Sequence, residues 1–191
     1  NKIGEASLWW LEKSLISLNK DLNQKLNILE GNSLEIITDI INKEGVKYLY
    51  WNRCYEPDRI AADTLIKAKV RKLNVFCKSF NSSLLWEPWK IKNKSGNFYK
   101  VFTPFFKKGC LEADQPRTPF SKPKNLFFLK LYKKDNIYKF KFQNSKDKWY
   151  SKFEKIWDVS EVAAKNTFNK FLKDGASDYN EGRNFPNKNS V

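Results

Sequence analysis

VKYLYWNRCYEPDRIAAD, residues 46–63, is the stretch whose reading decides the fold. Residues 46–51 are rich in aromatic and β-branched side chains and read as a strand. Glu56-Pro57-Asp58 then opens a helix, with proline near the first helical position and acids at the positive end of the helix dipole. Glu56 reads as the cap of that helix. Ala61, Leu65 and Ala68 predict its inward stripe, and it runs to about Lys72. Residues 74–80 follow as another strand. The unit is strand, loop, helix, strand.

The same alternation extends towards the N-terminus. Leu8, Leu11, Leu15, Leu18 and Leu22 recur at helical spacing, so residues 5–22 read as an amphipathic helix. The short apolar run 26–29 predicts a buried strand. Gly31-Asn32-Ser33 is a turn that supplies a helix N-cap. Leu34, Ile37 and Ile41 mark the next helix, and Gly45 sits where a C-terminal glycine cap belongs. Helices alternating with strands at these lengths imply parallel strands joined by crossovers, hence an α/β sheet. Sheets of this kind average about five strands. Only three are readable, and no strand precedes the first helix, so the first βα unit is expected to lie before Asn1. The chain also contains no methionine, which predicts that Asn1 is internal to a longer reading frame.

Periodicity fails beyond Phe80. Residues 81–119 read as loop, punctuated by Pro88, Gly96, Pro104, Gly109, Pro116 and Pro119. Residues 120–148 read as a surface linker, with partial alternation predicting a hairpin at 127–142. Residues 158–173 are helical again, on the stripe Val162, Ala163, Phe168, Phe171 and Leu172, with Asp158 or Ser160 as cap and Gly175 as terminator. Residues 178–191 read as a polar, extended tail.

At 41% hydrophobic and 16% aromatic, the 191 residues can bury a core. No apolar run approaches the roughly 20 residues of a membrane-spanning helix. The net charge of +15 is compatible with a nucleic-acid partner. It also has a compositional source. Only residues 53, 59, 71, 117 and 183 are arginine, and the lysine excess accompanies abundant Asn, Ile, Phe and Tyr, the signature of AT-rich codons. Cys54, Cys77 and Cys110 are widely spaced, and there is no histidine. That excludes a zinc finger, Ser-His-Asp catalysis and Cys-His catalysis in these residues, and it fits a reduced, cytoplasmic compartment. No metal site and no catalytic side chain are assigned.

Neither GxGxxG nor GxxxxGK[ST] occurs, which argues against an ordinary dinucleotide-dependent oxidoreductase. Ligands of open α/β sheets bind at the carboxyl ends of the strands, where Trp51-Asn52-Arg53 and Phe80-Asn81 lie. Taken singly, Trp51, Phe80 and Trp86 are explained by loop packing. Their arrangement as a set is not. Trp9-Trp10-Leu11 with Ser14-Leu15, WNRCYEPDRIAAD at 51–63, the segment 80–89, Lys94-Ser95-Gly96, 101–105, Trp157-Asp158-Val159 with 161–164, and YNEGRNFP at 179–186 together resemble, in order, the DNA photolyase/cryptochrome family. Residues 114–148 match poorly, as a variable linker would.

The resemblance implies a Rossmann-like α/β domain at 1–113, N-terminally incomplete, an interdomain linker at 114–156, and at 157–191 the start of an all-α FAD-binding domain. It implies a light-dependent DNA repair lyase whose reduced FAD, once excited, donates an electron to a cyclobutane pyrimidine dimer flipped out of the duplex. Tyr179 matches a family tyrosine that contacts FAD. Arg183 matches an arginine, four residues later, that contacts DNA. The remaining flavin ligands are expected beyond Val191, so the 191 residues by themselves are expected to be inactive. Partners implied are DNA carrying pyrimidine dimers, without membrane or metal, and a monomeric full-length parent. Folate-binding members carry an acid near the start of the helix after Tyr-Glu-Pro. Arg59 stands in that neighbourhood and would not accept a pterin's donors, which argues against an antenna pigment of the folate type, and no residue is assigned to a folate or deazaflavin antenna. Two other readings stay open: a cryptochrome-like flavin photoreceptor, and a non-catalytic remnant of such a gene.

Overall fold

The computed structural model describes residues 3–128 and 149–187. In chain order the elements are α1 (Glu5–Asp21), α2 (Ser33–Glu44), β1 (Tyr48–Asn52), α3 (Pro57–Lys72) and β2 (Phe76–Phe80). A 3-10 turn (Pro88–Lys90) follows, then α4 (Phe102–Pro104), which runs straight into a π-helical turn (Phe105–Cys110). After these come α5 (Ser151–Ile156), α6 (Glu161–Asp174) and α7 (Tyr179–Gly182). The chain divides into two compact units, Leu29–Lys124, and Asn1–Ile28 with Asn125–Val191.

The unit Leu29–Lys124 is α/β. β1 and β2 pair in parallel, with Tyr48 opposite Phe76 and Asn52 opposite Phe80, and α3 is the crossover between them. The ladder continues at both ends: Phe76 N–H donates to Lys47 O and Arg53 N–H donates to Phe80 O. Strand side chains alternate between faces. Leu49 and Cys77 turn inward onto a core of Ile41, Ile66, Val70 and Val75, which Leu34, Ile37, Val46 and Leu73 surround. The opposite face carries Tyr48, Tyr50, Phe76 and Phe80, all exposed and in ring-to-ring contact.

The inward stripe of α3 differs from the one its sequence suggests. Ile66 and Val70 face the sheet, whereas Ala61, Leu65 and Ala68 are exposed. Each large aliphatic side chain removed from water is worth about 1.5–3 kcal/mol and alanine far less, so helix rotation follows the Ile66–Val70 pair. The strand expected at 26–29 is absent as well. A strand exists only as a rung of a ladder, and none of the described residues pairs with this run. The Leu26 N–H instead donates to Asn19 Oδ1 at 3.1 Å, beyond a turn in which Asn23 and Gln24 are left-handed.

Helix ends follow local chemistry. Asn32 Oδ1 accepts from the N–H groups of Leu34 and Glu35. Gly45, at φ 64°, closes α2 by donating to Ile41 O. Pro57 takes the first turn of α3 as read, but Glu56 does not cap it with its side chain. Its Oε2 accepts from the Tyr55 N–H, one residue back, at 3.2 Å. Of the two caps considered for α6, Ser160 is the one used: its Oγ accepts from Ala163 N–H, and Gly175 ends the helix.

Residues 81–119 are more ordered than their punctuation suggests. Ile91 and Cys110 are both buried there. Gly109 is required there, since a Cβ would lie 2.8 Å from Ile91 Cγ2 and 3.0 Å from Tyr99 Cε2. In the other unit, buried Trp9 packs edge-on against Phe153, Trp10 against Trp157, and Lys13 pairs with Glu154 at 2.7 Å. The helix α5 lies within the stretch read as linker. α7 interrupts the tail read as extended, because the Gly182 N–H closes a turn onto Asp178 O at 2.7 Å. The hairpin expected at 127–142 falls almost wholly outside the described residues.

Candidate functional site

The carboxyl ends of β1 and β2 converge on a charged and aromatic cluster. Trp51, the inward residue near the end of β1, donates its indole N–H to Asp63 Oδ2 of α3 at 2.9 Å. Two residues on, Arg53 crosses to β2. Its Nη2 donates to Ser79 O at 3.0 Å and its Nε lies 3.2 Å from Ser79 Oγ. Its Nη1 pairs with Glu87 Oε1, and its guanidinium lies over the Trp89 ring, 5.3 Å from the centroid. Tyr55 completes the set. Its hydroxyl lies 3.0 Å from Glu87 Oε1 and 3.2 Å from Asn81 Oδ1, one proton between two acceptors.

This is a closed network. Glu87 has a side chain only 13% exposed, and it is neutralised by Arg53 and hydrogen-bonded by Tyr55. The Tyr55 phenol is held above its ordinary value of 10.0, first by burial and then by the acceptor and negative charge of Glu87, with Arg53 opposing. The pocket beside it is lined by Trp51, Arg53, Tyr55, Asp63, Lys67 and Trp89, among others, and encloses about 240 Å³. Pockets that enclose cofactor-sized ligands run from roughly 300 to 1,000 Å³. Its acid is engaged by Trp51 and its arginine by Glu87.

The sequence placed Trp51, Arg53, Phe80 and Asn81 at the strand ends, and they are there. It missed Glu87 and Asp63, the two carboxylates that organise the cluster. Glu87 had a visible signal, since Glu87-Pro88 repeats the Glu56-Pro57 pattern one strand later.

Tyr179 and Arg183 lie in the other compact unit. They sit at the two ends of α7, with Arg183 N–H donating to Tyr179 O at 3.2 Å and the guanidinium 5.7 Å from the Tyr179 ring centroid. Phe171 of α6 holds the ring from its other neighbour, edge-on at 5.7 Å. Both the phenol and the guanidinium are exposed. Among the described residues no group of three His, Cys, Asp or Glu could hold a metal ion, and no helix is long and apolar enough to cross a membrane.

A family model for DNA photolyase matches residues 1–124. The chain belongs to the DNA photolyase family. The deoxyribodipyrimidine photo-lyase of Agrobacterium fabrum is 34% identical over 97% of the chain, which covers 40% of that relative's length. Cryptochrome-1 of Arabidopsis thaliana is 26% identical over 64% of the chain and 19% of its own length. Among solved structures, a bacterial class III photolyase from Agrobacterium tumefaciens superposes with a TM-score of 0.89 at 33% identity, over 98% of this chain and 40% of that one. The chain thus spans about two fifths of the length of each of these photolyases. The parallel two-stranded sheet with its helices corresponds to the α/β N-terminal domain of that photolyase family.

Proposed function

We propose that this chain is part of a light-dependent DNA repair photolyase, with 1–113 as its α/β domain, 114–156 as linker and 157–191 as the beginning of the flavin-binding domain. The observation that carries this reading is the match of 98% of the chain to a photolyase at a TM-score of 0.89. Substrate and cofactor are those of the parent: DNA bearing cyclobutane pyrimidine dimers, and FAD.

Tyr179 and Arg183 are the residues of this chain assigned to those ligands. An exposed phenol and an exposed guanidinium on one short turn suit an anionic edge, either a flavin pyrophosphate or a DNA phosphate. Arginine is suited to the second because its planar fork binds phosphate bidentately. Phe171 packs edge-on against the tyrosine ring, and the guanidinium lies over that ring at 5.7 Å. Reduced FAD, when bound and illuminated, supplies the electron that opens the cyclobutane ring and returns afterwards. In this chain, the role left to the protein is to hold and orient.

The test is to sequence the source DNA on both sides of these codons, express the whole frame, and irradiate it with dimer-containing DNA. Light-dependent loss of dimers, with damaged-DNA affinity falling about tenfold in Arg183→Ala, is the expected result. Flavin photoreduction without repair would instead establish a cryptochrome-like receptor, the reading favoured by the match to an Arabidopsis cryptochrome. Stop codons on both sides would make the chain a remnant.

A further inference from the structure

Residues 88–111 contain Lys90, Lys92, Lys94, Lys100, Lys107 and Lys108 and not one acid. The same segment holds Phe98, Phe102, Phe105 and Phe106. All six lysines are exposed, and no described carboxylate pairs with any of them. Phe98 is 61% exposed and Phe102 is 72% exposed.

The fold brings the two halves of this segment together. Gly109 meets Ile91 and Tyr99 so closely that a Cβ would not fit, and Ile91 and Cys110 are both buried. Lys92 follows Ile91 and Lys108 precedes Gly109, so that contact sets the two lysine-bearing strips side by side. Lys92 Nζ lies 5.6 Å from the centroid of Phe98. Phe102 stacks on Phe106 with centroids 5.8 Å apart and planes 6° from parallel, and Tyr99 reaches Phe105 at 6.3 Å. The result is a surface of ammonium groups and exposed ring faces beside the buried Ile91 and Cys110.

That chemistry matches a single strand of nucleic acid. Lysines neutralise phosphates, and exposed aromatic faces take unpaired bases by stacking, which needs no particular sequence. A duplex keeps its base faces stacked on one another, so a duplex would use the lysines but leave the rings idle.

We propose that residues 88–111 form a single-stranded DNA contact, separate from the assignment of Arg183 and independent of flavin, light and damage. The probe is an undamaged oligothymidine labelled for fluorescence anisotropy, titrated with the 191-residue chain in the dark at several salt concentrations. Binding is expected to be tighter than to a duplex of equal length, with log K falling against log salt. In Lys92→Gln/Lys94→Gln/Lys107→Gln/Lys108→Gln the slope should become shallower by about 0.7 for each lysine engaged. Phe98→Ala/Phe102→Ala should weaken binding roughly tenfold while leaving the slope alone. Lysine-reactivity footprinting of the unaltered chain checks the surface without any substitution: Lys92, Lys107 and Lys108 should be protected by the oligomer.

Three results would overturn the proposal. They are no binding, binding indifferent to both sets of substitutions, and equal affinity for duplex or heparin with no loss on removing the phenylalanines. None of them bears on the repair reading, which is tested with damaged DNA and light.

Discussion

Arg53 is the residue on which the candidate site turns, because it joins both strand ends to the loop that follows. Replacing it with methionine keeps much of its packing against Trp89 and removes its charge. Glu87 would then be left mostly buried without a counter-charge, a kind of loss that destabilises more than the pair itself stabilises. We expect Arg53→Met to cost about 2–3 kcal/mol in chemical denaturation, below the range for fully buried pairs because Arg53 is partly exposed. Adding Glu87→Gln should recover part of that cost. A double variant no more stable than Arg53→Met would show that charge is not the cause.

Tyr55 gives a pH signature at the same scale. Its phenol titrates above 10.0 in the folded chain, so the fold favours the protonated form. The stability this contributes is fully present below the unfolded value of about 10, and it is lost as pH rises through the higher folded value. The difference in melting temperature between the parent chain and Tyr55→Phe should therefore be constant at neutral pH and change only in the alkaline range. A difference that varied between pH 5 and 8 would refute this account.

At the scale of elements, the helices start and stop where local hydrogen bonding dictates. Asn32 satisfies two N–H groups that α2 would otherwise leave without partners. Asn32→Ala should cost about 1 kcal/mol, and Asn32→Ser should restore most of it. Thermal melts of the three chains decide this, and an alanine variant as stable as the parent would mean that water replaces the cap without penalty. These caps were legible because they need only residues within a few positions of each other. The stripe of α3 was not legible in the same way. The sequence pointed to Ala61, Leu65 and Ala68, and only the sheet against which the helix lies selects Ile66 and Val70 instead. The run 26–29 shows the same limit, since an apolar segment becomes a strand only beside another strand.

The whole molecule exposes much of what a parallel sheet ordinarily covers. Such sheets are found almost only with both faces packed. Here α2 and α3 cover one face, while Tyr48, Tyr50, Phe76 and Phe80 leave the other half-open to water. Contiguous aromatic surface of this kind drives association, and among the described residues each strand also has an unpaired edge. We expect the chain to self-associate at micromolar concentrations, and Tyr50→Lys/Phe76→Lys to shift it towards monomer in light scattering. A parent chain that stays monomeric at high concentration would refute this.

What the sequence alone determined is what depends on neighbours along the chain or on an idiosyncratic order of residues. Helix ends, the βαβ alternation around residues 46–63 and the photolyase resemblance are of this kind, as is the lysine and phenylalanine content of residues 88–111. What only the tertiary structure decided is which distant groups meet. Glu87 reaches Arg53 and Tyr55 across more than thirty residues. Gly109 closes on Ile91, and the inner face of α3 is set by its partner. The physical reason is the same in each case. Local geometry is governed by backbone sterics and short-range hydrogen bonds, which a sequence states directly. Burial and ion pairing depend on where the folded chain places surfaces that are far apart in sequence.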